Sequence, residues 1–218
     1  MLIELAQAVD NFGADDVVQV IVLTGEGRAF SAGVDLNALG DRSLFNGAVG
    51  DVLDVPGRAA IDRLTTVPKV VIARINGFCF AGALELALAC DLIVVDENAK
   101  LGDTHAKWGL RPTWGMSQRL MRLIGPARAR ELSYTARTFT GADAAAWGLA
   151  VLAVSHDELD GAVADLAAAV AANSAGSIAA YKDLYRQALD CGLRDGLAYE
   201  AATVYAIADT DDRIAAFR

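Results

Sequence analysis

Histidine is almost missing from this chain, and so is any arrangement of residues that would hold a metal. His105 and His156 are the only two histidines, far apart, and the three cysteines (Cys79, Cys90, Cys191) are scattered without ligand spacing. No metal site is expected from such a set, and a disulfide scaffold is excluded by the same count. Two of the thiols lie in the most apolar part of the chain, so they read as buried free cysteines in a reducing compartment. Positive charge is also short: 19 Lys and Arg stand against 28 Asp and Glu, a formal net charge of −9. That balance argues against nucleic acid or an anionic membrane surface as the main partner. The most apolar stretch, residues 70–95, is interrupted by Arg74, Asn76, Glu85 and Asp91. A membrane span needs about 20 predominantly apolar residues, so this stretch reads as protein core. "MLIELAQAVDNFG" has neither a basic leading region nor a cleavage site. No secretory signal is therefore visible, and a cytoplasmic location is expected. "LTGEG" ends a strand but lacks the continuation of a nucleotide-binding glycine fingerprint.

What is present is core-forming material. Hydrophobic residues make up 54% of the 218 and charged residues 22%, the composition of a globular protein. "MLIELAQAV" has helical spacing and is expected to end at "NFGADD"; "VVQVIVLTGEG" is a β-branched strand closed by a glycine turn. "RAFSAGVDLNAL" turns through Gly33 into a short helix, and "GDRSLFNGAVGDVLDVPG" has the weak periodicity of a mobile surface loop. "RAAIDRLTTV" is helical up to Pro68, "KVVIARI" is a buried strand, "GALELALAC" a helix and "DLIVVD" a strand. Strand, helix and strand with almost no linker predict an α/β fold with a mostly parallel sheet. After residue 115 the segments "MSQRLMRLIG", "PARARELSYTA", "GADAAAWGL", "HDELDGAVADLAAAVAAN", "IAAYKDLYRQALD" and "LRDGLAYEAATVYAIAD" all read as helices. Ser155 followed by Glu158 is a capping-box signature. The expected division is an α/β core over 1–140 and a helical region over 141–218 that lacks polar clusters suited to chemistry.

One carboxylate stands out. Glu85 lies in an apolar run three residues after Gly82, so a helix starting near Ala81–Gly82 puts it in the first turn. Small residues at 81, 82 and 83 let a ligand approach free backbone N–H groups closely. An oxygen-binding amide with a carboxylate one turn away suits acyl chemistry, although a first-turn acid that complements the helix dipole is the plainer alternative. In "GRAFSAGVDL" a second glycine turn follows a strand, and Ala32–Gly33 leaves the backbone bare at Val34. Two such turns can aim two N–H groups at one carbonyl oxygen, or each can be an ordinary tight turn.

"VIVLTGEGRAFSAGVDL" and "INGFCFAGALELALACDLIVVDENAKLG", continued by "GLRPTWGMSQRLMRLIGPARARELSYTARTFTGADAAAWGLA", resemble the crotonase superfamily, the enoyl-CoA hydratase/isomerase family. The resemblance covers most of the chain. It implies a ββα superhelix with trailing helices used for trimerisation, and assembly as a homotrimer or dimer of trimers. It also implies an acyl-CoA thioester as substrate, with coenzyme A entering as part of it and no separate cofactor. By the same comparison the N–H groups of Val34 and Gly82 hold the thioester oxygen as an enolate forms. Ala32, Asp35, Leu36 and Asn37 lie beside the acyl-CoA, and Glu85 matches the first catalytic glutamate.

Two departures follow. Where hydratases carry a second glutamate this chain has His105, an imidazole able to donate and accept protons near neutrality. A hydrogen-bonded histidine that only shapes the pocket is the alternative. Asp103 and Thr104 flank it, and alternation along a strand would let Asp103 share its face and orient its ring. Second, the resemblance implies an opening strand pair before the first helix, and this sequence is expected to lack it, about two dozen residues by the chain length that two strands require. Trp108 and Trp114 are candidates for the acyl wall or for core packing, Arg28 and Arg42 for phosphate contacts or plain solvation, and His156 for the surface. The expected activity is hydration of an α,β-unsaturated acyl-CoA. Isomerisation, thioester or C–C hydrolysis, and a non-catalytic acyl-CoA-binding relic remain as alternatives. A Clp-type serine peptidase would need a serine opening a helix beside a histidine, and Ser31 precedes its turn instead.

Overall fold

A computed structural model describes residues 1–35 and 46–217. The chain alternates between two four-stranded sheets. β1 (Val20–Thr24), β3 (Val70–Ile75), β5 (Leu92–Asp96) and β8 (Leu152–Val154) form the first sheet in that order, all parallel. β2 (Ala29–Ser31), β4 (Phe78–Phe80), β6 (Lys100–Gly102) and β7 (Phe139–Thr140) form the second, with only β7 antiparallel. Each long strand of the first sheet is followed within a few residues by a short strand of the second. β1–β2, β3–β4 and β5–β6 are thus successive turns of a ββα superhelix, as the resemblance implied. Helices α2 (Asp51–Thr66) and α3 (Gly82–Leu88) close the first two turns.

The central strand β3 shows why the sheets hold together. Val71, Ala73 and Ile75 face one side and Val70 and Ile72 the other, and all five are buried. A strand covered on both faces reads as a continuous apolar run, which is how "KVVIARI" reads. One face meets the main core, where Leu84, Leu101, Met116, Leu120, Leu132 and Phe139 interdigitate. The other face of the sheet is covered by α7 (Leu159–Ala171) through Leu159 and Val163. Helix α1 (Leu2–Ala14) packs on α2 through Leu2, Val9, Ile61 and Leu64.

Three expectations are corrected. Helix α1 does not stop at "NFGADD" but runs through Asn11, Phe12 and Gly13. Gly13 approaches α2 so closely that a Cβ there would lie 2.8 Å from Val67 Cγ2, and Asp10 pairs with Arg63 of α2. Tertiary packing thus overrides the low helix propensity of the glycine. Second, "DVLDVPG" is not loop: Asp51–Gly57 are the first turns of α2, with Pro56 inside the helix and Asp54 and Gly57 buried. Residues 36–45, on which the short helix expected after Gly33 and the beginning of that expected loop fall, lie outside the described residues. Third, the stretch "LRDGLAYEAATVYAIAD" is helical only as α9 (Leu193–Ala202), then without regular structure until α10 (Thr210–Phe217). The Tyr199 and Tyr205 hydroxyls both donate to Asp183 at 2.8 Å, which draws the chain back across α8 (Ala175–Asp190). Strand β8 lies beyond residue 140 and completes the first sheet. The remaining helices α4 (Met116–Ile124), α5 (Pro126–Thr135) and α6 (Gly141–Ala146) follow the expected segments, and the Ser155–Glu158 capping box is formed. Among the described residues no single helix is long and apolar enough to cross a membrane.

Helix α8 is pinned to the sheet by one cation. Lys182 Nζ donates to Asp91 Oδ2 at 2.7 Å and to the Leu64 and Lys69 carbonyls at 3.0 and 2.9 Å. Burial pushes the Asp91 carboxyl up, and the lysine together with the Val71 N–H opposes that. Removing the cation would strand a half-buried acid and two carbonyls. Lys182→Met is expected to lower stability by about 2 kcal/mol in urea unfolding, the scale of a broken, partly solvated ion pair. An unchanged midpoint would show that α8 is held by its apolar contacts alone.

Candidate active site

The site begins where β4 hands over to α3. Ala81 adopts φ +50° and ψ −116°, a backbone region that a residue with a side chain rarely occupies, and its N–H donates to the Gly102 carbonyl at 3.0 Å. That sharp bend lets Gly82 open α3 with an N–H that has no carbonyl partner inside the helix. All seven residues of α3 are buried, so the glycine and alanine content of "AGALELALA" serves close packing as well as helix formation. A Cβ on Gly82 would lie 2.8 Å from the Trp114 ring, and one on Gly57 of α2 only 2.2 Å from it.

Glu85 is 2% exposed, as deep as the aliphatic core. Its Oε1 accepts the backbone N–H groups of Trp114 and Met116 at 2.9 and 3.0 Å. These bonds hold the chain entering α4 against α3, so half of the carboxylate is structural. Burial raises the Glu85 carboxyl above its ordinary 4.5, opposed by the Met116 N–H, the His105 ring and the Trp114 N–H. The other oxygen, Oε2, lies 3.6 Å from His105 Nε2, beside it but beyond hydrogen-bond range. Trp114 itself is fully engaged: Arg119 Nη1 donates to its carbonyl at 3.0 Å and its indole N–H donates to Asp54 Oδ1 at 3.2 Å. The same Asp54 oxygen accepts the Thr113 hydroxyl at 2.5 Å.

His105 is 7% exposed and reaches the site from the opposite side. Its Nδ1 is 2.7 Å from Asp103 Oδ1. The expected partnership is therefore present, although its expected cause is not. Strand β6 stops at Gly102, and the two residues meet through a tight turn in which the His105 N–H also points at Asp103 Oδ1, at 3.4 Å. Asp103 Oδ2 accepts the hydroxyl of Ser133 from α5 at 2.7 Å. Sequence reading missed Ser133, which is 30 residues away in a helix and belongs to no motif.

Glu85 and His105 border a cavity of about 170 Å³ whose wall also includes Ala32, Val34 and Gly82. The two glycine turns singled out from sequence thus meet at one space, with Trp108 and Trp114 on its rim. Trp114 both borders this cavity and is buried in the α1–α2 core, whereas Trp108 is more than half exposed. Asp35 lies on an adjoining apolar cavity of about 470 Å³ that shares Val34, Gly82 and Trp114 with the first. Leu36, Asn37 and Arg42 lie outside the described residues, and Arg28 is exposed. Ser31 borders the second cavity, not the one that holds His105, and its hydroxyl accepts the Gly33 N–H at 3.2 Å, an arrangement unlike a peptidase nucleophile. His156 sits at the surface with Nδ1 2.8 Å from Asp96. Among the described residues no group of three or more His, Cys, Asp or Glu is placed to hold a metal.

The chain as a whole is similar to proteins that are already known. The family model described as enoyl-CoA hydratase/isomerase matches residues 1–217. A probable peroxisomal enoyl-CoA hydratase 1 of Arabidopsis thaliana is 36% identical over 206 residues, covering 94% of this chain and 76% of the relative. A carnitinyl-CoA dehydratase of Salmonella agona is 35% identical over 196 residues, covering 89% and 74%. The crystal structure of an enoyl-CoA hydratase from Bacillus anthracis superposes with a TM-score of 0.85 at 31% identity, over 92% of this chain and 77% of that one.

The raised Glu85 carboxyl carries a testable sign. The folded chain holds this proton more tightly than the unfolded chain, so the contribution of Glu85 to stability is complete below pH 4.5. It declines as pH rises through the folded value. Relative to E85Q, whose amide oxygen can still accept both N–H groups, the wild type is expected to lose stability as pH climbs from 4.5 through the folded value and to level off above it. Urea unfolding of both proteins across a pH series measures this, and a gap that moves the other way would contradict the assignment.

Proposed function

The chain belongs to the enoyl-CoA hydratase/isomerase family, and we propose that it hydrates the double bond of an α,β-unsaturated acyl-CoA thioester. The observation that carries the reading is the buried juxtaposition of Glu85 Oε2 and His105 Nε2, 3.6 Å apart, on a cavity bordered by Val34 and Gly82. Addition of water needs a base for the attacking oxygen, an acid for the α-carbon and stabilisation of the charge that gathers on the thioester oxygen. In the proposed mechanism the backbone N–H groups of Val34 and Gly82 donate to that oxygen. Ala32, Asp35, Leu36 and Asn37 border the acyl-CoA, and coenzyme A enters with the substrate, so no separate cofactor takes part.

The pair of Glu85 and His105 works with one proton between them. One member takes a proton from water as the hydroxyl bonds to the β-carbon, and the other gives its proton to the α-carbon. Water is thereby consumed completely, and the pair regains its starting form by passing the proton between Nε2 and Oε2. The reverse course is dehydration, the activity for which the carnitinyl-CoA dehydratase relative is named. With two protons the pair lacks a base and with none it lacks an acid, so the rate is expected to fall on both sides of an optimum.

The chain is taken to work in the cytoplasm, where its three unpaired thiols would stay reduced. It is also taken to assemble as a homotrimer or dimer of trimers. Tyr181, Tyr185, Leu189, Leu193 and Leu197 on α8 and α9 are all exposed, and apolar residues recurring every fourth position on consecutive helices suit a contact between copies.

Two measurements test the proposal. With crotonyl-CoA, loss of the conjugated absorbance and appearance of the 3-hydroxyacyl product are expected. E85Q and His105→Ala should each lower kcat by about 10²- to 10⁴-fold while binding persists. Binding without turnover in the wild type would instead identify a non-catalytic acyl-CoA binder, and a shifted double bond or free CoA would identify an isomerase or hydrolase. Sedimentation of the purified chain is expected to give three or six copies, and a monomer would remove the assembly from the proposal.

A further inference from the structure

Behind the pair that faces the cavity stands one more buried acid. Asp103 is 3% exposed and both of its oxygens are claimed. Oδ1 receives His105 Nδ1 at 2.7 Å and the His105 backbone N–H at 3.4 Å, and Oδ2 receives the Ser133 hydroxyl at 2.7 Å. Burial by itself would push this carboxyl up. The hydrogen bonds from the His105 ring and from Ser133 outweigh it and hold Asp103 below the ordinary carboxylate range. An ionised carboxylate can only accept, so the proton between the two residues belongs to Nδ1. A neutral ring with its proton on Nδ1 has a bare lone pair on Nε2, the atom 3.6 Å from Glu85.

We propose that Asp103 and Ser133 are positioning residues that fix His105 in its Nδ1–H tautomer and aim the bare Nε2 at the space beside Glu85. The inference deepens the function proposed above and rests on its assignment of His105 to the reacting carbons. The structure supplies a reason for two residues instead of one. His105 and Asp103 lie on the same turn, where the carboxylate alone could rotate about its side-chain torsions. Ser133 comes from α5, a separate helix packed in the main core through Ala129 and Leu132, and its hydroxyl anchors the second oxygen from outside the turn. Second-tier partners of this kind set which nitrogen of an imidazole carries the proton and where its ring points.

The two histidines make the tautomer directly measurable. In protein labelled with ¹⁵N-histidine, a His156→Gln variant identifies the His105 ring. At a pH where that ring is neutral, Nδ1 is expected to be protonated and Nε2 bare. Asp103→Asn should keep the tautomer, because the His105 backbone N–H still requires an acceptor at Oδ1 and the Ser133 hydroxyl can reverse to accept from the new amide. Its kcat is expected to fall about 10-fold with KM nearly unchanged. Asp103→Ala should mix the tautomers and lower kcat about 100-fold. Ser133→Ala should lower kcat several-fold, and Ser133→Thr should restore it. A wild-type ring protonated on Nε2, or an Asp103→Ala enzyme with wild-type kcat, would overturn the proposal. The wild-type spectrum decides even where the alanine variant does not fold. If His105→Ala leaves kcat unchanged, the assignment of His105 to the reaction fails, whereas a crippled His105→Ala beside fully active Asp103 variants means that the positioning role alone is wrong.

Discussion

The structure turns on the cost of burying one carboxylate. Glu85 sits among residues as dry as the aliphatic core, where an ionised acid without partners would cost several kcal/mol. Two backbone N–H groups, those of Trp114 and Met116, offset that cost by donating to Oε1. The same two bonds decide where the chain enters α4, and so where Trp114 lies against α2 and α3. One interaction therefore joins the acid to the wall of the cavity beside it, and the second oxygen is left to face His105. Neither the helix α3 nor the segment 114–116 could move without exposing an unpaired charge in the interior.

The two sides of the site differ in how they are held. On the Glu85 side the donors are backbone amides and the acid's own carboxyl is raised, so its proton is retained more readily than in water. On the His105 side the donors are the His105 ring, the Ser133 hydroxyl and the His105 backbone N–H, and Asp103 is lowered, so its charge is retained. Two buried acids only a histidine apart are thus pushed in opposite directions by the number and kind of hydrogen bonds each accepts. Environments that separate like groups in this way are how acid and base roles become distinct in a single pocket.

The legible part of the fold and site was the part written in local pattern. "KVVIARI", "GALELALAC" and "DLIVVD" announce themselves by apolar runs and glycine stops, and Glu85 stands out because a charge in such a run needs a reason. Gly33 and Gly82 mark the turns for the same reason: small residues after strands bare the backbone. The second sheet was illegible from the residues alone, since strands of two or three residues such as Phe139–Thr140 are too short to express an alternating period. The start of α2 was hidden by Pro56 and Gly57, whose helix-breaking character is overridden by packing against Trp114. Ser133 was invisible for a different reason: its role exists only because α5 docks beside the turn after β6, and no spacing in the sequence records that meeting. The pairing of Asp103 with His105 was foreseen, but through strand alternation, whereas a turn makes it.

Gly57, Gly82 and Trp114 have a shared consequence. The indole fills the space that both glycines forgo, one on α2 and one on α3, so the three positions behave as a single volume divided among three residues. Enlarging either glycine would press against a residue held at its backbone N–H, its carbonyl and its indole N–H by three hydrogen bonds. Shrinking the ring would leave a void that only a bulkier neighbour at 57 or 82 could refill. Drift at any one of these positions is therefore tied to compensating change at the others.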